Sequence, residues 1–168
     1  MIPQPTNTAT QSRLESSLRG LVPLAAGLDF RIQTLSPREV VCSLEANDLG
    51  LNQNGTLQAA TFYILADYTS GLAGYAGLGD YSLLGMDDPQ DPRPKIQGWL
   101  KDGYVKHIRP ATGSLRAVAA LPEEEIARIR QDLSTSGKCV YTAEIQIFQE
   151  TTLVAIARHT VVFMATSH

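Results

Sequence analysis

Little in this sequence is basic, and nothing basic is concentrated. Lys and Arg number 14 against 17 Asp and Glu, for a formal net charge of −3, and no positive run occurs. Without such a run the chain lacks the field that binds nucleic acid or an anionic membrane surface. Histidine is as sparse: His107, His159 and His168 stand far apart, with none of the short spacings that zinc ligands adopt, so no metal is expected. The two cysteines, Cys42 and Cys139, have no metal-type spacing and sit in apolar alternation, which reads as two buried free thiols. No Gly-x-Ser-x-Gly elbow is present to carry a serine nucleophile. The glycines Gly71, Gly74, Gly77 and Gly79 fall late in an apolar segment, not between a strand and a helix start. They therefore fit close packing of a helix on a sheet and not a phosphate loop. The first residues show no basic start followed by an apolar block, so no secretory leader is evident and a cytoplasmic protein is expected. Asn54-Gly55-Thr56 matches a glycosylation acceptor that would then stay idle. Residues 1–12 are polar and are expected to fray.

Against these absences one stretch stands out. Leu57 to Gly79 carries a single charge, Asp67, over a length that allows about five helical turns even with ends excluded. A helix apolar or small on every side is a buried one. An ionised carboxylate is costly to bury unless it is paired or hydrogen-bonded. Asp67 is thus either the structural partner of a charge or amide elsewhere, or a working group. Gln58, Asp67 and the scattered Thr, Ser and Gly argue against a membrane span.

The rest of the chain is organised around that segment. Leu14, Leu18, Leu21 and Leu24 have helical spacing within Arg13–Ala26, which Pro23 ends or kinks. Leu28–Gln33 and Val40–Glu45 alternate as strands around a Ser36–Glu39 turn, giving a hairpin. A polar loop, Asn47–Asn54, leads to the central helix, for which Thr56 is the expected N-cap. After a short apolar piece, Tyr81–Met86, residues 87–94 (DDPQDPRP) read as an exposed loop. Strands follow at about Ile96–Leu100, Tyr104–Arg109 and Ser114–Leu121. A short acidic-headed helix opens at Pro122 and breaks at Gly137. Cys139–Phe148 and Leu153–Met164 close the chain as a long hairpin. The sum is a single α+β domain, an antiparallel sheet wrapped around one long central helix. Long edge strands in such a sheet need a partner, so dimerisation through the sheet is expected.

Asn52-Gln53-Asn54-Gly55-Thr56-Leu57-Gln58-Ala59-Ala60, followed by Leu65-Ala66-Asp67, resembles the hotdog-fold thioesterases, in particular the phenylacetic-acid-pathway type. In that family an Asn precedes a Gly, a His-Gly-Gly opens the helix, and a Leu-Ala-Asp lies on it. Asn52, Gly55 and Asp67 fall on corresponding positions, and Ile108-Arg109-Pro110-Ala111 with Gly113 matches the family's strand end. The resemblance covers about residues 20–165. Gln58 stands where the family often has His, and Ala59-Ala60 replace Gly-Gly. Gln keeps an amide donor but does not titrate near neutral pH.

The resemblance implies a hotdog fold and hydrolysis of an acyl-CoA or related thioester. It implies no cofactor beyond the coenzyme A of the substrate, and a homodimer or dimer of dimers. The carbonyl would sit at the helix N-terminus, where the Ala59 amide and the helix dipole favour developing negative charge. Gln58 would add a hydrogen bond, and Asp67 would be nucleophile or general base. Gln58 and Asp67 are nine residues apart, on opposite helix faces and about 13 Å apart along the axis. Hotdog relatives resolve this by building each site from two subunits. Asn52 would orient the loop or a water. Thr69 or Ser70 would serve the carboxylate or the water, or bond its own helix backbone. Gly55 and Thr56 would shape the substrate loop, and Phe62, Tyr63 and Ile64 the acyl pocket. Lys106 and Arg109 would meet coenzyme A phosphates, or else be solvated strand residues. Rival readings are a non-catalytic acyl-binding hotdog module, a hotdog dehydratase or hydratase using His107 or His159, and a structural dimer in which Asp67 is simply paired.

Overall fold

In the computed structural model, which describes residues 8–166, eleven elements follow one another along the chain. Helices α1 (Thr8–Leu21) and α2 (Pro23–Gly27) precede strands β1 (Arg31–Leu35) and β2 (Val40–Leu44). Then come α3 (Ala59–Ala76), β3 (Ser82–Leu83), β4 (Lys95–His107), β5 (Leu115–Ala119), α4 (Glu123–Ser136), β6 (Lys138–Gln149) and β7 (Thr152–Ala165). The seven strands form one sheet in the order β1-β2-β5-β6-β7-β4-β3, antiparallel except for the short β3–β4 pair. The sheet packs around α3, which touches β1, β2, β4, β5, β6 and β7. No helix among the described residues is long and apolar enough to cross a membrane.

Several boundaries differ from the sequence reading. Helix α1 starts at Thr8, so the described part of the expected frayed segment is helical; residues 1–7 lie outside the described residues. Leu14 and Leu18 are buried under the sheet edge, and that burial, about 1.5–3 kcal/mol per leucine, holds the helix. At Pro23 the helical stretch is broken as expected: α1 ends at Leu21, Val22 is extended, and Pro23 opens the short α2. Strand β1 begins three residues later than expected, because Asp29 takes a positive φ of 48° and turns the chain. The two strands expected between Ile96 and Arg109 are one, continued through a bulge between Leu100 and Asp102.

Helix α3 is buried along most of its circumference. Ala60, Tyr63, Ile64, Asp67 and Gly71 form the less buried stripe, at helical spacing. Two turns beyond Asp67, Gly74 lies under Tyr141, so that an added Cβ would overlap its ring and hydroxyl. Gly77 lies against Ile126 of α4, where a Cβ would come within 2.6 Å. Those two glycines do serve close packing, whereas a Cβ at Gly71 or Gly79 would meet nothing within 4 Å. Cys42 and Cys139 are buried free thiols, and burial pushes Cys42 up to about 12.

The two long edges of the sheet are treated differently. Along β1, α1 supplies side chains to the strand backbone: Ile32 donates its N–H to Glu15 (2.7 Å), and Gln11 donates to the Ile32 carbonyl (2.7 Å). Arg31 adds an ion pair to Glu15 at 3.1 Å. This covers the edge against further strands. Along β4, β3 pairs only with Lys95 and Ile96, so among the described residues Gln97–His107 has β7 on one side and no strand on the other.

Candidate functional site

Two cavities open along that uncovered edge of β4, one at each end. The larger, about 450 Å3, holds Asp67 together with Gly71 and Leu72 of α3, Leu83, Leu84 and Met86 beyond its C-terminus, and the Gln97–Leu100 stretch of β4. The smaller, about 350 Å3, lies at the α3 N-terminus between Leu57, Ala59, Phe62 and the segment His107–Pro110.

Asp67 reaches its cavity because the less buried stripe of α3 faces the open strand edge. No hydrogen bond or ion pair to its carboxylate occurs among the described residues, and the walls are mainly aliphatic and aromatic. Desolvation by those walls pushes the carboxyl up to about 6. Among the described residues of one chain, no cation or amide pairs with it. A carboxyl titrating near neutral pH in an apolar cavity can hold or release a proton where a reaction needs it.

The loop before α3 is built by Asn52. Its side chain accepts the Asn54 and Thr56 N–H groups (2.9 and 3.3 Å) and donates to the Thr56 hydroxyl (2.9 Å), closing a turn in which Gly55 has φ +71°. Asn52 therefore orders the loop. Thr56 does not cap α3, as expected from the sequence, because its hydroxyl is committed to Asn52. The N-cap is Gln58, with extended backbone and no side-chain cap bond. Its side chain donates instead to the Leu49 carbonyl at 2.8 Å, and its N–H to Gly50 at 2.9 Å. One amide N–H of Gln58 is thus spent on the loop, while the side chain remains solvent-exposed. Ala59 and Ala60 form the exposed first turn, where a helix has no internal acceptor for its N–H groups.

Other expected site residues go elsewhere. Ser70 is buried and donates to the Asp67 backbone carbonyl at 2.7 Å, and Thr69 to that of Leu65 at 2.6 Å, so neither serves the carboxylate. Both hydroxyls thus bond their own helix backbone. Phe62 lies in the smaller cavity, edge-on to His107 with centroids 4.8 Å apart. Tyr63 leans on His159 (4.9 Å), and neither it nor Ile64 lines either of these two cavities. Arg109 borders the smaller cavity. Lys106 is exposed on the face of β4 opposite His107, away from α3. His159 is fully buried with both ring nitrogens unpartnered, and burial lowers its pKa. It packs under Tyr63 and touches neither cavity. The wall from Leu83 to Met86 escaped sequence reasoning. Gly71, one turn beyond Asp67, was its only local sign: a missing side chain beside the charge.

Asp67 and the α3 N-terminus thus belong to different cavities in one chain, as their spacing demanded. Among the described residues no group of three or more His, Cys, Asp or Glu side chains converges in a way that could hold a metal.

No family description matches this chain, and no curated protein does. Solved structures do match in fold. A Pseudomonas aeruginosa protein of unknown function, described as a probable thioesterase, is 22% identical over 98% of both chains, with a TM-score of 0.69. A thioesterase from Haemophilus influenzae is 15% identical over 98% of this chain and 96% of its own, at a TM-score of 0.67. A second Pseudomonas aeruginosa thioesterase, solved as a Gln-to-Ala variant, is 14% identical over 99% of this chain and all of its own, at 0.66. At such identities the likeness is one of fold.

Proposed function

We propose that the protein is a hotdog-fold thioester hydrolase whose active site forms between two copies of the chain. The observation that carries this reading is Asp67: an unpartnered carboxylate, pushed up to about 6, in an apolar cavity beside an unpaired strand edge. The fold shared with proteins named as thioesterases supports the reaction class.

The two-chain arrangement follows from strand geometry. Both cavities flank the free edge of β4, the larger at Gln97–Leu100 and the smaller at His107–Pro110. If β4 pairs antiparallel with itself about an axis between Asp102 and Gly103, Gly98 lies opposite the partner's His107. Each Asp67 cavity then meets the exposed α3 N-terminus of the other chain. A two-fold contact of this kind repeats the same juxtaposition twice, giving two equivalent sites.

In that site the thioester carbonyl oxygen is held at the first turn of one α3, by the Ala59 amide, the positive end of the helix dipole and the remaining Gln58 amide N–H. Asp67 of the other chain removes a proton from water as the oxygen attacks the carbonyl carbon. The C–S bond then breaks, and the thiolate leaves and takes up that proton. The same placement allows direct attack by the carboxylate, giving an anhydride that water opens. In single turnover in H2(18)O, label appearing in Asp67 identifies direct attack followed by water opening the anhydride at the aspartyl carbon, whereas water activated by Asp67 puts label only in the product acid. Arg109, beside the α3 N-terminus, offers a cation to the phosphates of coenzyme A.

The deciding test is thiol release from short, medium and aromatic acyl-CoAs by the wild type and Asp67→Asn, with mass measured in solution. Turnover by a dimer or larger assembly that drops at least about a hundredfold in Asp67→Asn, nearly 3 kcal/mol, supports the proposal. Binding of acyl-CoA with no turnover on any of them assigns the chain to a non-catalytic acyl-binding role instead.

A further inference from the structure

The geometry points to the short strap from Leu83 to Met86, pinned by Asp87, as the element that sets the length of acyl chain accepted by the Asp67 cavity. This rests on the thioester reading above and adds a substrate class to it: medium-length apolar acyl groups.

The strap is tied at several points to structure that does not belong to the cavity. Asp87 is buried, and its Oδ2 accepts both the Tyr75 hydroxyl (2.7 Å) and the Leu83 N–H (2.8 Å). Tyr75 lies at the C-terminal end of α3, two turns beyond Asp67, so Asp87 fastens the strap to the helix that carries the carboxylate. Arg93 stands 3.8 Å from the same oxygen and is itself held by Asp91 (2.6 Å) and the Gly79 carbonyl (3.1 Å). Backbone bonds from Ser82 to Pro94 and from Leu84 to Ile96 seat the strap along β4. Gly85 turns it with φ +80°, a conformation that disfavours any other residue.

So fastened, the strap sends Leu83, Leu84 and Met86 into the wall of the cavity. Leu84 is 45% exposed and Trp99, on the same cavity, 48% exposed, so these two stand at its mouth. Gly71 leaves the helix side open. At about 30 Å3 for each non-hydrogen atom, 450 Å3 takes on the order of ten to fifteen atoms. That suits a chain of medium length, with Met86 in the wall along it and Leu84 at the rim its tail would reach.

Trp99 is the sole tryptophan of the protein, so its fluorescence reports occupancy without any turnover. The experiment compares wild type with Leu84→Ala, Met86→Ala and the double variant. Straight-chain acyl-CoAs from two to sixteen carbons are used for hydrolysis, and the matching free fatty acids for binding. Leu84 is partly solvent-exposed and its truncation leaves the Asp87 hydrogen bonds intact, so folding is retained. The expected result is a wild-type optimum at medium length that moves to longer chains in the variants. The ratio of long-chain to short-chain kcat/KM should rise about fourfold for each methylene newly accommodated. An unchanged chain-length profile overturns the strap's role and leaves hydrolysis untouched. If no thioester is turned over but the fluorescence optimum still moves to longer acids, the strap's role stands and the hydrolase reading falls. Absence of saturable fluorescence change with every acid, together with an unchanged profile, overturns the inferred substrate class.

Discussion

Two aspartates near α3, Asp67 on the helix and Asp87 beyond its C-terminus, meet opposite fates. Asp87 is buried and held through one oxygen, Oδ2, which takes hydrogen bonds from the Tyr75 hydroxyl and the Leu83 N–H with Arg93 nearby, while Oδ1 is buried without a hydrogen bond among the described residues. Asp67 is walled mainly by apolar side chains, with no hydrogen bond to its carboxylate among the described residues, and its carboxyl is pushed up to about 6. A chain that can supply Asp87 with donors could have supplied them to Asp67. The difference separates a carboxylate that holds a segment in place from one left without partners, which the proposed mechanism would use as its working group.

Substitutions at the two positions should therefore diverge. The largest effect expected is on turnover: Asp67→Asn loses at least about a hundredfold in kcat/KM on acyl-CoAs, close to 3 kcal/mol. Asp87→Ala should instead destabilise the fold by about 2–3 kcal/mol in urea melts, since it strands the Tyr75 hydroxyl and the Leu83 N–H. If Asp87→Ala melted like wild type, the contrast would collapse.

Next in size is a stabilisation. Because the folded pKa of Asp67 lies above its ordinary 3.8, the native state binds more protons than the unfolded chain between about pH 4 and 6. Its contribution is therefore best in acid and is lost as pH rises through that window. Asp67→Asn should gain about 2 kcal/mol at pH 7.5, several degrees in Tm, and nothing near pH 4. The same titration governs activity with the opposite sense. An ionised Asp67 is the working form, so kcat/KM should climb tenfold per pH unit below about 6 and level off above it. A flat profile from pH 5 to 8 would remove Asp67 from the rate-limiting proton transfer.

The smallest effect falls at the other end of α3. One Gln58 N–H is already bonded to the Leu49 carbonyl, so Gln58→Ala should cost no more than about tenfold in kcat, 1.4 kcal/mol, with stability within about 1 kcal/mol of wild type. A loss rivalling that of Asp67→Asn would make Gln58 an equal partner and weaken the contrast between the two ends of the helix.

What could be read from the residues alone were features whose cause is local. The period of apolar positions marked α3, β6 and β7 to within a few residues, because burial of one face follows from alternation or helical spacing wherever the core lies. The lone charge in an apolar helix singled out Asp67, and its distance from Gln58 already placed the two at different ends of the site. Tertiary structure decided the rest, since those features depend on partners far along the chain. Asp87 read as part of an exposed loop until Tyr75, twelve positions back, met it. Thr56 has the chemistry of an N-cap, but Asn52 claims its hydroxyl. Tyr63 was expected in the acyl pocket and lies instead on His159, while the wall opposite Asp67 comes from a strap whose sequence has no period to betray it. Which edge of the sheet stays open is likewise invisible in one dimension: β1 is covered only because α1 packs beside it with Glu15 and Gln11 in reach of its backbone. Local pattern determines which faces are buried, whereas the choice of partner for each polar group awaits the packing that brings distant residues together.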